Sequence, residues 1–134
     1  MRYFDTDVLV NAIVIQDEHK HKESIDLITD SIENGSFLIS LLVLQELVFV
    51  LSKLGCSNEF IKKYLNYFTE FALINYDADL FTRASELADQ IGYKNINDCL
   101  HVAMAEKYCN EIITYNKKDF KNITDFSTTR ITIL

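Results

Sequence analysis

The chain has no proline and no tryptophan, three glycines, three cysteines, and thirteen basic residues against twenty acidic ones. With no proline, no low-complexity tract and no internal repeat, nothing in its 134 residues marks a linker. That implies a single domain over residues 1–134, long enough to bury a core without staples. Cys56, Cys99 and Cys109 are odd in number and lack any C-x-x-C spacing. They exclude a disulfide framework and a zinc knuckle, and read as buried free thiols of a reducing cytoplasm. Long apolar runs are missing too. The longest, Phe37 to Leu51, is broken by Ser40, Gln45 and Glu46 and is too short and polar to span a bilayer. Asp5 and Asp7 interrupt the apolar N-terminal stretch that a signal peptide needs. A formal charge of −7 argues against a general electrostatic grip on nucleic acid, which takes a basic face. It leaves room for an enzyme whose clustered carboxylates bind divalent cations and so create a local positive centre.

What is present is the composition of an ordinary soluble globule, 49% hydrophobic and 25% charged. The opening Met1-Arg2-Tyr3-Phe4 reads as a strand that runs through Asp5-Thr6-Asp7 into a short helix, Asp7 to Ile15. Gln16 to Lys22 reads as a polar break. Further helices are expected over Ser24–Glu33, Leu41–Leu54, Asn58–Phe68, Asp79–Ile91 and Asn97–Cys109, from apolar residues at helical spacing. Gly35, Gly55 and Gly92 stand where three of them stop. Strands are expected at Phe37–Ser40, Phe71–Asn75, Glu111–Tyr115 and Arg130–Leu134, with Asn116–Asp119 as a polar turn. Strands alternating with helices predict an α/β fold, a mainly parallel sheet of four to five strands covered on both faces.

Four acids fall in places that surface acids do not. Asp5 ends the first strand, where open parallel sheets do their chemistry. Its neighbours Thr6 and Asp7 are equally suited to capping the first helix. Glu46 lies within the helix Leu41–Leu54, whose apolar positions cover nearly the whole circumference, so that helix is expected to be buried. No Lys or Arg stands three or four residues from Glu46, and a buried unpaired acid pairs, shifts its pKa or binds a cation. Asp98 opens a helix, which the helix dipole alone would explain, and Asp119 sits in a turn, where Asp is common. Gathered at one sheet edge, such like charges repel unless a metal neutralises them, and an oxygen-only set favours Mg²⁺ or Mn²⁺. His19 and His21 read as part of a solvated loop. His101, on the helix face of Asp98, reads as a packing residue, with a hydrogen-bond partner of the site as the lesser alternative.

The order of motifs resembles the PIN-domain ribonucleases, and among them the VapC-like toxins of type II toxin–antitoxin pairs. The resemblance rests on Tyr3-Phe4-Asp5-Thr6-Asp7-Val8-Leu9, on Ser40 through Val43-Leu44-Gln45-Glu46-Leu47, on Asn97-Asp98-Cys99-Leu100-His101-Val102-Ala103, and on Thr114-Tyr115-Asn116-Lys117-Lys118-Asp119-Phe120. It implies a three-layer α/β/α PIN-like fold with Asp5, Glu46 and Asp98 at the family's catalytic metal-site positions and Asp119 as the fourth. Some members carry that fourth acid at the place held here by Asn116. The first motif usually reads Asp-Thr-Asn; Asp7 either adds charge to the site or caps the helix. Thr114 and Ser40 match polar positions that in relatives orient the acids or the scissile phosphate. Lys117, Lys118 and Lys121, beside the fourth motif, either contact RNA backbone or belong to an ordinary solvated turn, the better reading for each taken alone.

The function so implied is endoribonucleolytic. By that resemblance Asp5, Glu46, Asp98 and Asp119 would hold Mg²⁺, or Mn²⁺ in its place, which would supply a more acidic attacking water and charge stabilisation for the leaving 3′-oxygen, giving 5′-phosphate and 3′-hydroxyl ends. The implied partners are an RNA substrate, a cognate antitoxin that occludes the acids, and a second copy in a homodimer; no membrane is involved. A stand-alone RNA-processing PIN nuclease is an alternative. So is a non-catalytic module of the same fold. A haloacid-dehalogenase-like phosphatase is a third, since Asp5-Thr6-Asp7 imitates its D-x-D, but Leu9 stands where that motif continues with Thr or Ser.

Overall fold

In the computed structural model, residues 1–71 and 73–134 are described. The chain runs β1 (Arg2–Phe4), α1 (Thr6–Ile13), α2 (Glu18–Glu33), β2 (Phe37–Ser40), α3 (Leu41–Lys53), α4 (Asn58–Phe68), β3 (Leu73–Ile74), α5 (Ala78–Ile91), α6 (Ile96–Tyr108), β4 (Glu111–Thr114), α7 (Lys117–Ile123) and β5 (Arg130–Ile133). The strands form one parallel sheet in the order β3-β2-β1-β4-β5, with helices on both faces in a three-layer α/β/α arrangement. Every residue of β2 and β4 is buried, as expected of strands covered on both sides. The core they enter includes Phe4, Ile39, Leu47, Leu51, Leu87, Met104, Ile112 and Phe120.

The chain lays down β1, β2 and β3 outward in one direction, then returns to place β4 and β5 on the other side of β1. The carboxyl ends of β1 and β4 therefore flank a topological switch point, the crevice where ligands bind in open parallel sheets. Arg2 pairs with Glu111 and Phe4 with Ile113, so Asp5 and Thr114 emerge side by side at that crevice. At the opposite end of β4, the buried Glu111 is held by Arg130 at 2.7 Å and Arg2 at 3.4 Å and takes the Thr132 hydroxyl. Burial works against its charge, and these partners overcome it and keep the carboxyl below its ordinary range. That acid is a structural ion pair.

Several expected boundaries move. The segment Gln16–Lys22 is no break beyond its start. Asp17 accepts from the Lys20 backbone N–H and opens α2 at Glu18, a cap that apolar periodicity does not reveal. Asn116–Asp119 is the start of a helix, not a turn: the Asn116 side chain accepts from the Asp119 N–H at 3.2 Å and nucleates α7. The cap of α1 is Asp5, whose carboxylate accepts from the Thr6 N–H, and neither Thr6 nor Asp7 takes that role. Part of the expected strand Phe71–Asn75 lies outside the described residues, and the described strand is Leu73–Ile74. Helix α3 is not buried all round, since Leu41 and Phe49 are 46% and 61% exposed: the sheet and its neighbours cover one side of it only. Of the thiols Cys99 is buried, whereas Cys56 and Cys109 are half-buried. Gly35 and Gly55 end α2 and α3 with φ of 69° and 80°, a region side chains avoid. No helix among the described residues is long and apolar enough to cross a membrane.

Candidate active site

Asp5 leaves β1 with both carboxylate oxygens engaged from below. Oδ1 accepts from the Thr6 N–H at 2.7 Å and Oδ2 from the Thr114 hydroxyl at 2.7 Å. Thr114 in turn accepts from the Asn116 N–H at 2.9 Å, so its proton is committed outward to the acids. Asp5 is 5% exposed, and burial raises its pKa even though His101 and these donors pull it down.

Glu46 comes from the middle of α3, and its partners come from other helices. Oε2 accepts from the Thr6 hydroxyl at 2.6 Å and from His101 Nε2 at 2.9 Å; Oε1 accepts from the Asn97 amide at 3.1 Å. Burial opposes its ionisation, but His101, Thr6 and Asn97 together hold its carboxyl below the ordinary value. The absence of a Lys or Arg along α3 thus left the compensation to α1 and α6.

His101 is 1% exposed, and hydrogen-bond accounting settles its role. Its Nδ1 lies 2.7 Å from the Tyr3 hydroxyl, which lies 2.6 Å from Ser40 Oγ; Ser40 also accepts from the Val43 N–H as the cap of α3. With the proton on Nε2, the chain Ser40 → Tyr3 → Nδ1 satisfies every group, and Nε2–H donates to Glu46. The other neutral tautomer sets a nitrogen lone pair against a carboxylate oxygen at 2.9 Å. Protonation leaves Nε2–H in place, and the surrounding Glu46, Asp5 and Asp98 raise the His101 pKa against the opposing effect of burial. His101 is therefore a donor. Although it brings an atom within 4.8 Å of both Asp5 and Glu46, its lone pair is not free for a metal, and the remaining donors are oxygens. Tyr3→Phe is expected to cost about 1–3 kcal/mol of stability by orphaning His101 and Ser40, read by denaturant melts; an unchanged midpoint would contradict this accounting.

Around this pair the negative charge is undercompensated. Asp7 turns its carboxylate to the Tyr115 N–H at 3.0 Å and toward Thr114 at 3.3 Å, while its Oδ1 is buried with no hydrogen-bond partner among the described residues. Burial, with the charge of Asp5, raises its pKa to about 7. Asp98, in the first turn of α6, is also raised to about 7, by burial and then by Asp5, with Asp119 and Glu46 adding to it. Glu111 has two arginines; these acids have one histidine. An oxygen-rich cluster with an orphaned carboxylate oxygen fits a hard divalent cation.

The acids floor a cleft of about 480 Å³, lined by Asp5, Asp7, Glu46 and Asp98 and walled by Asn11, Gln16, Phe49, Val50, Asn97 and Asn116. Asn116 lies on the wall. Asp119 lies behind it, its Oδ2 accepting from the Asn116 amide at 2.9 Å, and its charge reaches Asp98. Ser40 does not line the cleft; it acts on it from beneath, through Tyr3 and His101. Lys117 and Lys118 are exposed at the start of α7 and do not line the cleft. Thr6, Asn97 and Tyr3 are residues that sequence reasoning did not assign to the site, and it offered His101 only as a lesser alternative. Their signal was the shared helix face of Asp98 and His101, too weak to specify a donor to Glu46.

A profile of the PIN domain matches residues 2–125, and the chain belongs to the PIN-domain family. Among solved structures, VapBC2 from Rickettsia felis, bound to a DNA fragment from its promoter, contains a chain of the same fold. It is 24% identical with a TM-score of 0.69, over 100% of this chain and 99% of that one. A chain of DNA-bound VapBC from Salmonella typhimurium is 18% identical with a TM-score of 0.70, over 98% and 96%. No protein with a curated description matches the sequence.

Proposed function

We propose that the protein is a Mg²⁺- or Mn²⁺-dependent endoribonuclease and the toxin of a toxin–antitoxin pair. The observation that carries the enzymatic reading is the contrast between two buried acidic sites. The acid at the amino end of β4 is neutralised by arginines, whereas Asp5, Glu46, Asp98 and Asp7 converge at the switch point with, among the described residues, only His101 beside them. Such charge is retained where a cation is to be held. What supports the toxin reading is the motif order shared with VapC-like toxins, together with the fold common to the VapBC structures. By the same resemblance the partners are a cognate antitoxin and a second copy of the chain.

Asp5, Glu46 and Asp98 would hold the ion, with Asp7 or the Asn116–Asp119 pair completing the set. A divalent ion there supplies Lewis acidity toward the scissile phosphate and a more acidic attacking water. The protein's own part is preorganisation. Thr114 and the Thr6 N–H aim Asp5; Thr6, His101 and Asn97 keep Glu46 ionised and aimed; Asn97 and Asn116 offer amide donors at the cleft wall. Lys117 and Lys118 would meet the RNA backbone outside the cleft.

The test is incubation of the protein with single-stranded RNA in Mg²⁺, in Mn²⁺ and in EDTA, with para-nitrophenyl phosphate in parallel. Cleavage of RNA alone, abolished by EDTA, is expected. Persistence in EDTA, or turnover of the phosphomonoester instead, would overturn the nuclease reading. Growth arrest on induced expression, relieved by co-expressing the product of the adjacent gene, tests the toxin reading.

A further inference from the structure

Tyr3 lies beneath the acidic cleft, and its hydroxyl decides what His101 offers to it. Asp5, Glu46 and His101 each bring a ligand atom within 4.8 Å of the others. His101 Nε2 is 2.9 Å from Glu46 Oε2 and 3.8 Å from Asp5 Oδ1. Two carboxylates and one imidazole nitrogen suit Zn²⁺, which takes both kinds of donor and keeps a further position open. Zn²⁺ also outbinds Mn²⁺ at most sites, so a site for Mg²⁺ or Mn²⁺ owes its selectivity to ligand type and geometry. Here one nitrogen separates the two kinds of site.

That nitrogen is withheld from below. Which ring nitrogen a histidine offers is set by the hydrogen bond that the other one makes. Nδ1 lies 2.7 Å from the Tyr3 hydroxyl, which lies 2.6 Å from Ser40 Oγ, and Ser40 also accepts from the Val43 N–H. With Nε2 protonated, the Ser40 proton goes to Tyr3 and the Tyr3 proton to Nδ1. Coordination through Nε2 would move the ring proton to Nδ1 and turn the chain round. Nδ1–H would donate to Tyr3 and Tyr3 to Ser40, whose own proton would have no acceptor among the described residues. Both hydroxyls are buried, so no solvent makes up the loss.

We propose that Tyr3, through Ser40 and His101, sets the ion selectivity of the site: it keeps Nε2 a donor, so an entering ion meets oxygens alone. The proposal rests on the metal-dependent nuclease reading and adds to it which ions are refused. Tyr3 is a positioning residue and acts only through His101. In Tyr3→Phe the direction of the chain is lost. Either neutral tautomer then leaves Nδ1 unpartnered, and coordination through Nε2 orphans no additional group.

The test titrates the wild type and Tyr3→Phe with Zn²⁺ alone and with Mn²⁺ alone by calorimetry, and follows the His101 ring nitrogens by NMR where the ring is neutral. In the wild type, Nε2 should be protonated and Nδ1 bare, and saturating Zn²⁺ should leave them so. In Tyr3→Phe the ratio of Zn²⁺ to Mn²⁺ affinity should rise about tenfold or more, the scale of one buried polar group no longer orphaned. Nε2 should turn from protonated to metal-bound. Adding His101→Gln to Tyr3→Phe should abolish the gain, which mere loosening of the fold would leave in place. An unchanged ratio in folded Tyr3→Phe, or a gain that survives His101→Gln, overturns the proposal. So does a wild-type ring that carries its proton on Nδ1 or takes Zn²⁺ through Nε2, a result that needs no variant to fold. Binding of neither ion by the wild type overturns it as well. If the ions bind with the expected selectivity and no RNA is cut, the nuclease reading alone fails and the selection stands.

Discussion

Asp5→Asn is expected to lower RNA cleavage about a thousandfold or more, the scale of losing a group that stabilises transition-state charge, while the protein stays folded. Asparagine keeps the shape of the carboxylate. Its oxygen still accepts from the Thr6 N–H and so still caps α1, and the Thr114 hydroxyl, freed from Oδ2, has Asp7 within 3.3 Å to turn to. What disappears is the charge that burial confines at the end of β1. Asp5 is the largest electrostatic contributor to the raised pKa of both Asp7 and Asp98, so its removal relaxes both toward ordinary carboxyl behaviour. The variant should therefore melt no lower than the wild type at about pH 8 in metal-free buffer. Calorimetric titration with Mn²⁺ should show weakened binding. A variant that cleaves normally would remove Asp5 from the site altogether.

Metal-free protein is expected to lose stability as the pH rises from about 5 to about 8, by a few kcal/mol, and to recover it when Mn²⁺ is added. Asp7 and Asp98 have ordinary values of 3.8 and folded values of about 7. Between those limits the folded chain binds more protons than the unfolded one, so each unit of rising pH costs stability until the folded groups have ionised. His101 acts in the same direction. Its raised folded pKa contributes stability below its ordinary 6.5 that is lost as the pH climbs through the folded value. Glu46 opposes them, but only in acid, because its pKa is lowered from 4.5. A bound cation replaces the protons as the compensating charge, and the slope should flatten. Thermal melts at several pH values, with and without Mn²⁺, read this directly. A flat metal-free profile would mean that the acids are not crowded.

Much of this was legible in the residues. Asp5 and Asp98 could be placed because strand ends and helix starts are local features, and Glu46 because a charge inside an apolar helix is anomalous wherever it sits. The compensation of Glu46 was not legible. Thr6 lies 40 positions away and His101 55, and Tyr3 reaches His101 across 98, distances over which periodicity carries no information. The missed start of α7 has a different cause. Asn116-Lys117-Lys118-Asp119 is equally good turn and cap chemistry, and only the reciprocal Asn116–Asp119 bonds distinguish them. Phe49 was taken as buried because a helix apolar all round has no solvent face on a helical wheel. The sheet covers one side only, and what stands on the other side belongs to the cleft.

The strand order also governs when the site can exist during synthesis. Strand β1 is the first made and lies at the centre of the sheet, yet one of its edges waits for β4, more than a hundred residues later. Until Thr114 arrives, Asp5 lacks the hydroxyl that orients it, and until His101 is in place Glu46 lacks its donor. A nascent chain paused anywhere before β4 holds acids with no geometry. Under the nuclease function proposed above, cutting would therefore begin only after α6 and β4 have been made and have docked beside β1.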